Sequence, residues 1–146
     1  MKRLLLVAGL FMLLHWLHAA EDSAKTEYER FAGTWRFRSA EFEGKKEPVE
    51  NFKEFRLILK GDRYTVKAGS LTFGGTYKVD VTKKPKHIDV THTDGPQKGQ
   101  IMKGIYELEA DTYKVCMALP GKERPTDFTA GAGSERTLSV WRRNKK

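Results

Sequence analysis

Phe55-Arg56-Leu57-Ile58-Leu59-Lys60-Gly61-Asp62-Arg63-Tyr64-Thr65-Val66-Lys67-Ala68 reads as two strands and the turn between them. Phe55, Leu57 and Leu59 alternate with Arg56, Ile58 and Lys60. After Gly61-Asp62, Tyr64, Val66 and Ala68 alternate with Arg63, Thr65 and Lys67. A period of two puts one set of side chains on each face of a strand, and a two-residue connection forces the strands antiparallel.

The same pattern extends in both directions. Towards the C-terminus, Gly69-Ser70 turns the chain, Leu71-Thr72-Phe73 is a short strand, and Gly74-Gly75 permits a bend or bulge before Tyr77 and Val79. Lys83-Lys84-Pro85-Lys86 is a turn. Ile88, Val90 and His92 then alternate up to Asp94-Gly95-Pro96. Met102, Gly104, Tyr106 and Leu108 share one face of the next strand, and Tyr113, Val115 and Met117 share one face of the strand after it. Residues 120–134 form a longer loop rich in Gly and Pro. Leu138, Val140 and Arg142 then alternate along a last strand. Towards the N-terminus, residues 43–51 are a charged loop, and Trp35, Phe37 and Ser39 alternate along a first strand over residues 33–42. Residues 21–32 carry the one helical pattern of the domain, with Tyr28, Phe31 and Ala32 at helical spacing. About eight strands with short connections describe an all-β domain, a single antiparallel up-and-down barrel with a short N-terminal helix.

The first twenty residues stand apart. Lys2 and Arg3 precede an apolar run from Leu4 to Leu14, and Ala19-Ala20 precede Glu21-Asp22. Basic, apolar, small and then polar is the order of an export signal, and the run is short for a membrane span. The reading is therefore a signal peptide over residues 1–20, cleaved near Ala20, and one domain over residues 21–146. The mature domain is expected in the periplasm, the cell envelope or the medium, without a stable membrane span and as a monomer.

Removing Lys2 and Arg3 lowers the formal net charge from +8 to +6. Basic residues are interleaved with acidic ones and form no basic helix, so a solvated face is expected and nucleic acid is not. Cys116 is the single cysteine, so the fold is held by packing, and burial of the thiol is expected.

Gly33-Thr34-Trp35 opens the first strand directly after the helix, as the Gly-x-Trp start of lipocalins does. In a closed barrel the end of the last strand lies beside the start of the first. Arg142 is thereby expected over Trp35, closing one end through a cation–π contact. Together with Gly61-Asp62-Arg63-Tyr64, Gly75-Thr76-Tyr77, Lys84 to Asp89, Gly104 to Leu108, Cys116 and Arg124 to Phe128, this order resembles a lipocalin-like domain family of exported planctomycete proteins. The resemblance implies fold and export and supplies no catalytic residue.

The candidate chemistry is that of a binding protein. His87 with Asp89 and His92 with Asp94 fall on opposite faces of a strand, which argues against a metal site. No nucleophile elbow or phosphate loop is present, so neither catalysis nor a cofactor is expected. Arg124 and Asp127 are expected to pair and hold the long loop. The leading function is non-catalytic binding of a small apolar or amphipathic molecule, with Tyr64, Tyr77, Tyr106 and Tyr113 lining a cavity that opens opposite Trp35. The alternative is a module whose loops bind an envelope polymer or a protein, and an enzyme comes third.

Overall fold

The computed structural model describes residues 4–145, with side chains from His15 onward; Lys2, Arg3 and Lys146 of the expected basic ends lie outside the described residues. A helix α1 (Leu4–Phe31) is followed by β1 (Gly33–Phe42), β2 (Lys45–Lys46), a 3-10 turn (Val49–Phe52), β3 (Arg56–Lys60), β4 (Arg63–Ala68), β5 (Leu71–Asp80), β6 (Lys86–His92), β7 (Ile101–Leu108), β8 (Thr112–Ala118) and β9 (Arg136–Arg143). Each strand from β3 to β9 pairs antiparallel with the next, and β1 pairs with both β3 and β9. Eight strands thus close an up-and-down barrel, and the two-residue β2 is an extra strand folded back on β1.

The helix is longer than expected. It runs without a break through residues 19–21, because Leu, Ala, Glu and Lys favour helix and no Pro or Gly interrupts residues 10–31. Of residues 15–26 only Ala24 is even half-buried, whereas Glu27 and Phe31 are buried. The last turn of α1 is therefore the part that belongs to the barrel. It plugs one end, with Phe31 against Tyr77, Tyr106 and Tyr113 at ring separations of 5.6, 5.1 and 5.1 Å.

A second departure concerns β5. It is one continuous ten-residue strand, not two short pieces around a bend. Gly74 and Gly75 serve close approach: a Cβ on Gly75 would lie 1.9 Å from the Thr91 carbonyl oxygen, and one on Gly74 would lie 2.4 Å from that of Tyr64. Glycine lets the strands coil tightly enough for closure.

The barrel core contains Trp35, Leu57, Leu59, Tyr77, Val79, Ile88, Tyr106 and Val115. A smaller buried set lies outside the wall. Ile105 and Cys116 are opposed across β7 and β8, and Cys116 is opposed to Leu138 on β9. The 119–135 loop folds over them, burying Pro125 and Ala130.

Candidate functional site

Arg143, not Arg142, closes the barrel. Trp35 is paired with Arg143 and Arg36 with Arg142, so Arg142 points outward and is exposed. The strand β9 carries apolar residues on both faces. Leu138 and Val140 look like core positions, but they face outward toward Cys116 and Lys114, while Ser139, Trp141 and Arg143 take the inner parity. The Arg143 guanidinium lies 4.2 Å from the Trp35 ring centroid. It donates to the carbonyls of Ala32 (2.7 Å), Arg30 (2.5 Å) and Ala110 (2.9 Å). These include the unsatisfied carbonyls at the end of α1, where a cation is also favoured by the helix dipole. Trp35 Nε1–H donates to the Phe31 carbonyl at 2.9 Å, which anchors the same turn from inside. Gly33, at φ +131°, makes the sharp passage from helix to strand that a side chain would resist.

The plug also carries a buried carboxylate. Glu27 accepts from Lys86 Nζ at 2.8 Å, from Arg30 at 2.8 Å and from the Tyr106 hydroxyl at 3.0 Å. Burial pushes its carboxyl up, but the bonds from Lys86 and Tyr106 and the two nearby cations outweigh burial and hold it below the ordinary carboxylate range. No pattern in the sequence pointed to this web, because the partners lie 59 and 79 residues away.

Above the plug the barrel encloses a cavity of about 200 Å³. Its sides are apolar, with Leu57, Leu59, Val66, Val90 and Val115 among them, and Phe31 is part of its floor. The lining residues near the plug are buried. Those towards the opposite end, Phe73, His92 and Met117, are half-exposed, so the mouth lies opposite the Trp35 end.

Three of the four expected tyrosines, Tyr64, Tyr77 and Tyr113, line this cavity. Tyr106 does not: its hydroxyl is turned into the plug toward Glu27. Two of these three stand at the floor and not at the mouth. Tyr113 lies 6.0 Å from the Trp35 ring and touches Phe31, and Tyr77 also touches Phe31, which puts both at the floor. Tyr64 stands on the wall with its hydroxyl hydrogen-bonded to His92 Nδ1 at 2.6 Å, and His92 Nε2 faces Met102 Sδ at 3.4 Å. Burial pulls the His92 pKa down against the pull of Asp94, which favours the neutral ring. Burial, aided by Asp94, pushes Tyr64 up to about 12, and burial raises Tyr77 and Tyr113 further. The three phenols are hydrogen-bond donors at any physiological pH. Among them the Tyr77 hydroxyl is buried with no hydrogen-bond partner.

The remaining candidates are structural. Cys116 is fully buried, its thiol donates to the Thr129 carbonyl at 3.4 Å, and burial raises its pKa. Arg124 and Asp127 do not pair with each other. Arg124 reaches Asp89 at 2.7 Å and the carbonyls of Gly104 and Ile88 at 2.8 and 3.1 Å, and Asp127 takes Arg136 at 3.2 Å. Both fix the loop to the outer wall. His87 and His92 lie on opposite faces of β6, as alternation required.

These features define a helix-plugged antiparallel β-barrel with an apolar internal cavity. No family model and no curated protein matches the chain. Among solved structures it is similar to a DUF4847 family protein from Bacteroides vulgatus. The two share 14% identity with a TM-score of 0.48, over 79% of this chain and 94% of that one.

Proposed function

We propose that this protein is an exported, non-catalytic carrier of a small, neutral, mostly apolar molecule held inside the barrel. The observation that carries this reading is the apolar cavity inside the barrel, among whose lining residues Tyr77 has a buried hydroxyl with no hydrogen-bond partner. A buried hydroxyl without a partner costs about 1–3 kcal/mol, a cost relieved when a ligand supplies an acceptor. A cavity of 200 Å³ is somewhat larger than one that admits benzene, so the occupant is about the size of a single substituted ring or a short branched chain. It is neutral, because the cations near the floor are already engaged: Lys86 and Arg30 by Glu27, Arg143 by Trp35 and the end of α1.

Export belongs to the same reading. A cut after Ala20 would remove only exposed side chains among residues 15–20 and leave Glu27, Tyr28 and Phe31 in the plug. Among the described residues no helix is long and apolar enough to cross a membrane. The resemblance to exported lipocalin-like domains points the same way. Native mass spectrometry of the protein purified from its own host tests the proposal: one small adduct per chain supports it, and a bare polypeptide mass under gentle desolvation counts against it.

A further inference from the structure

The basic residues that are scattered in the sequence are gathered by strand register. Arg142 on β9 is directly opposite Arg36 on β1, Arg36 is opposite Arg56 on β3, and Arg56 is opposite Lys67 on β4. Trp35, Leu57, Val66 and Trp141 point inward, so these four neighbours stand on the outer wall, one strand spacing of about 4.8 Å apart. Lys60 and Arg63 form a second opposed pair on β3 and β4, and Arg38 is the extra residue of the bulge beside Arg36. Arg36, Arg38, Arg142, Arg143, Asn144 and Lys145 line one shallow depression.

Acids are scarce on this wall. β3, β4 and β9 contain no Asp or Glu, and β1 contains only Glu41, near its far end. Among the described residues Arg36, Arg38, Lys60, Arg63, Lys67 and Arg142 make no ion pair. Asp111, at the edge, is paired with Lys145 at 2.9 Å and also feels the charges of Arg143 and Arg142. Like charges directly opposed across a ladder destabilise a sheet, and here three consecutive strand pairs carry them in one row. That cost has no return within the chain.

We infer that this outer wall binds a flexible, non-nucleic polyanion, an acidic polysaccharide bearing carboxylate or sulfate groups. A linear polyanion laid across the strands meets Arg142, Arg36 and Lys67, with Arg56 between them, its guanidinium also donating to the Lys53 and Phe55 carbonyls. The residues between the cationic rows are Thr34, Ile58 and Thr65, with no aromatic platform for bases to stack on, which disfavours single-stranded nucleic acid. The exposed apolar residues of the barrel, Phe42, Leu71 and Ile101 on strands at the mouth end and Val49 in the 3-10 turn, are not among the wall positions, so the wall lacks the apolar anchors of a membrane-docking face.

The test is binding of the full chain to heparin, polygalacturonate, an oligothymidylate and phosphatidylglycerol vesicles at several salt concentrations. Heparin and polygalacturonate should bind, more weakly as salt rises. The double variant R36Q/R142Q should bind them about tenfold less tightly, the loss of two exposed charge contacts. K83Q/K84Q removes the same charge from an exposed turn outside the wall and should change binding by under about twofold. Lys67→Glu, at the other end of the row, should weaken binding as R36Q/R142Q does, while near-UV circular dichroism stays that of the parent. Equal losses in the wall and turn variants would reduce the effect to net charge and overturn the inference. So would no binding to either polysaccharide, or tighter binding to the oligothymidylate or the vesicles.

Discussion

Arg143 and Trp35 face each other across the β9–β1 seam with the guanidinium 4.2 Å from the ring centroid, and the same guanidinium caps the last turn of the helix that plugs the barrel. One side chain therefore joins barrel closure to helix docking. Trp35→Ala should cost about 3–5 kcal/mol, as deletion of a large buried ring does. Arg143→Ala should cost about 1–3 kcal/mol, from a lost helix C-cap and cation–π contact. Arg142→Ala should lie within about 0.5 kcal/mol of the parent. Urea unfolding monitored by tryptophan fluorescence ranks the three; a larger cost for Arg142→Ala than for Arg143→Ala would refute the assignment.

The plug should make stability acid-sensitive. The Glu27 carboxyl is held below its ordinary value of 4.5 in the folded chain. A depressed folded pKa stabilises the fold fully above the unfolded pKa, and that contribution is lost as pH falls through 4.5 toward the folded value. Glu27→Gln should therefore be less stable than the parent at neutral pH. The gap should narrow steadily below pH 4.5, measured as the difference in urea midpoints. A gap independent of pH would mean that Glu27 is not ionised in the plug.

Cys116 should resist a thiol reagent under native conditions and react rapidly after denaturation, because the 119–135 loop seals it against the wall. Arg124→Ala frees that loop from Asp89 and from the Ile88 and Gly104 carbonyls, and should speed native labelling without emptying the barrel. Rapid native labelling of the parent would overturn the burial of the thiol.

Much of this architecture was legible in the chain, and the failures have specific causes. Alternation in residues 55–68 and onward located every barrel strand, because one face of each is buried and the period-two pattern survives. It failed on β9, where Leu138 and Val140 are apolar but face outward under a loop that supplies its own cover. It also divided β5 at Gly74–Gly75, since a glycine needed for close approach looks the same in sequence as one needed for a bend. Tyr64, Tyr77 and Tyr113 were found as cavity residues from inward parity alone. Tyr106 shares that parity, yet its hydroxyl is claimed by Glu27, a partner from the helix that strand periodicity cannot see. The cationic wall was missed for a similar reason: Arg142, Arg36, Arg56 and Lys67 become neighbours only through register.

Tyr77→Phe should separate binding from stability. Removing a buried hydroxyl that has no partner should raise the stability of the empty protein by about 1 kcal/mol, while ligands that accept a hydrogen bond should bind about tenfold more weakly. Tyr106→Phe should do the opposite: it strips a bond from Glu27, lowers stability, and leaves ligand affinity near that of the parent. Thermal unfolding with and without ligand reads both effects. A loss of stability in Tyr77→Phe would mean that its hydroxyl has a partner in the empty protein.

The most direct test of a binding cavity is a titration of the full chain with phenol, followed through the Tyr77, Tyr113 and Val115 resonances by NMR. Saturable shifts at these three residues, with one phenol per chain, are expected. They should be lost when Val115→Phe fills the cavity and should persist when the outer wall is altered by R36Q/R142Q. Shifts that grow linearly without saturation, or that Val115→Phe leaves unchanged, would contradict a ligand site inside the barrel.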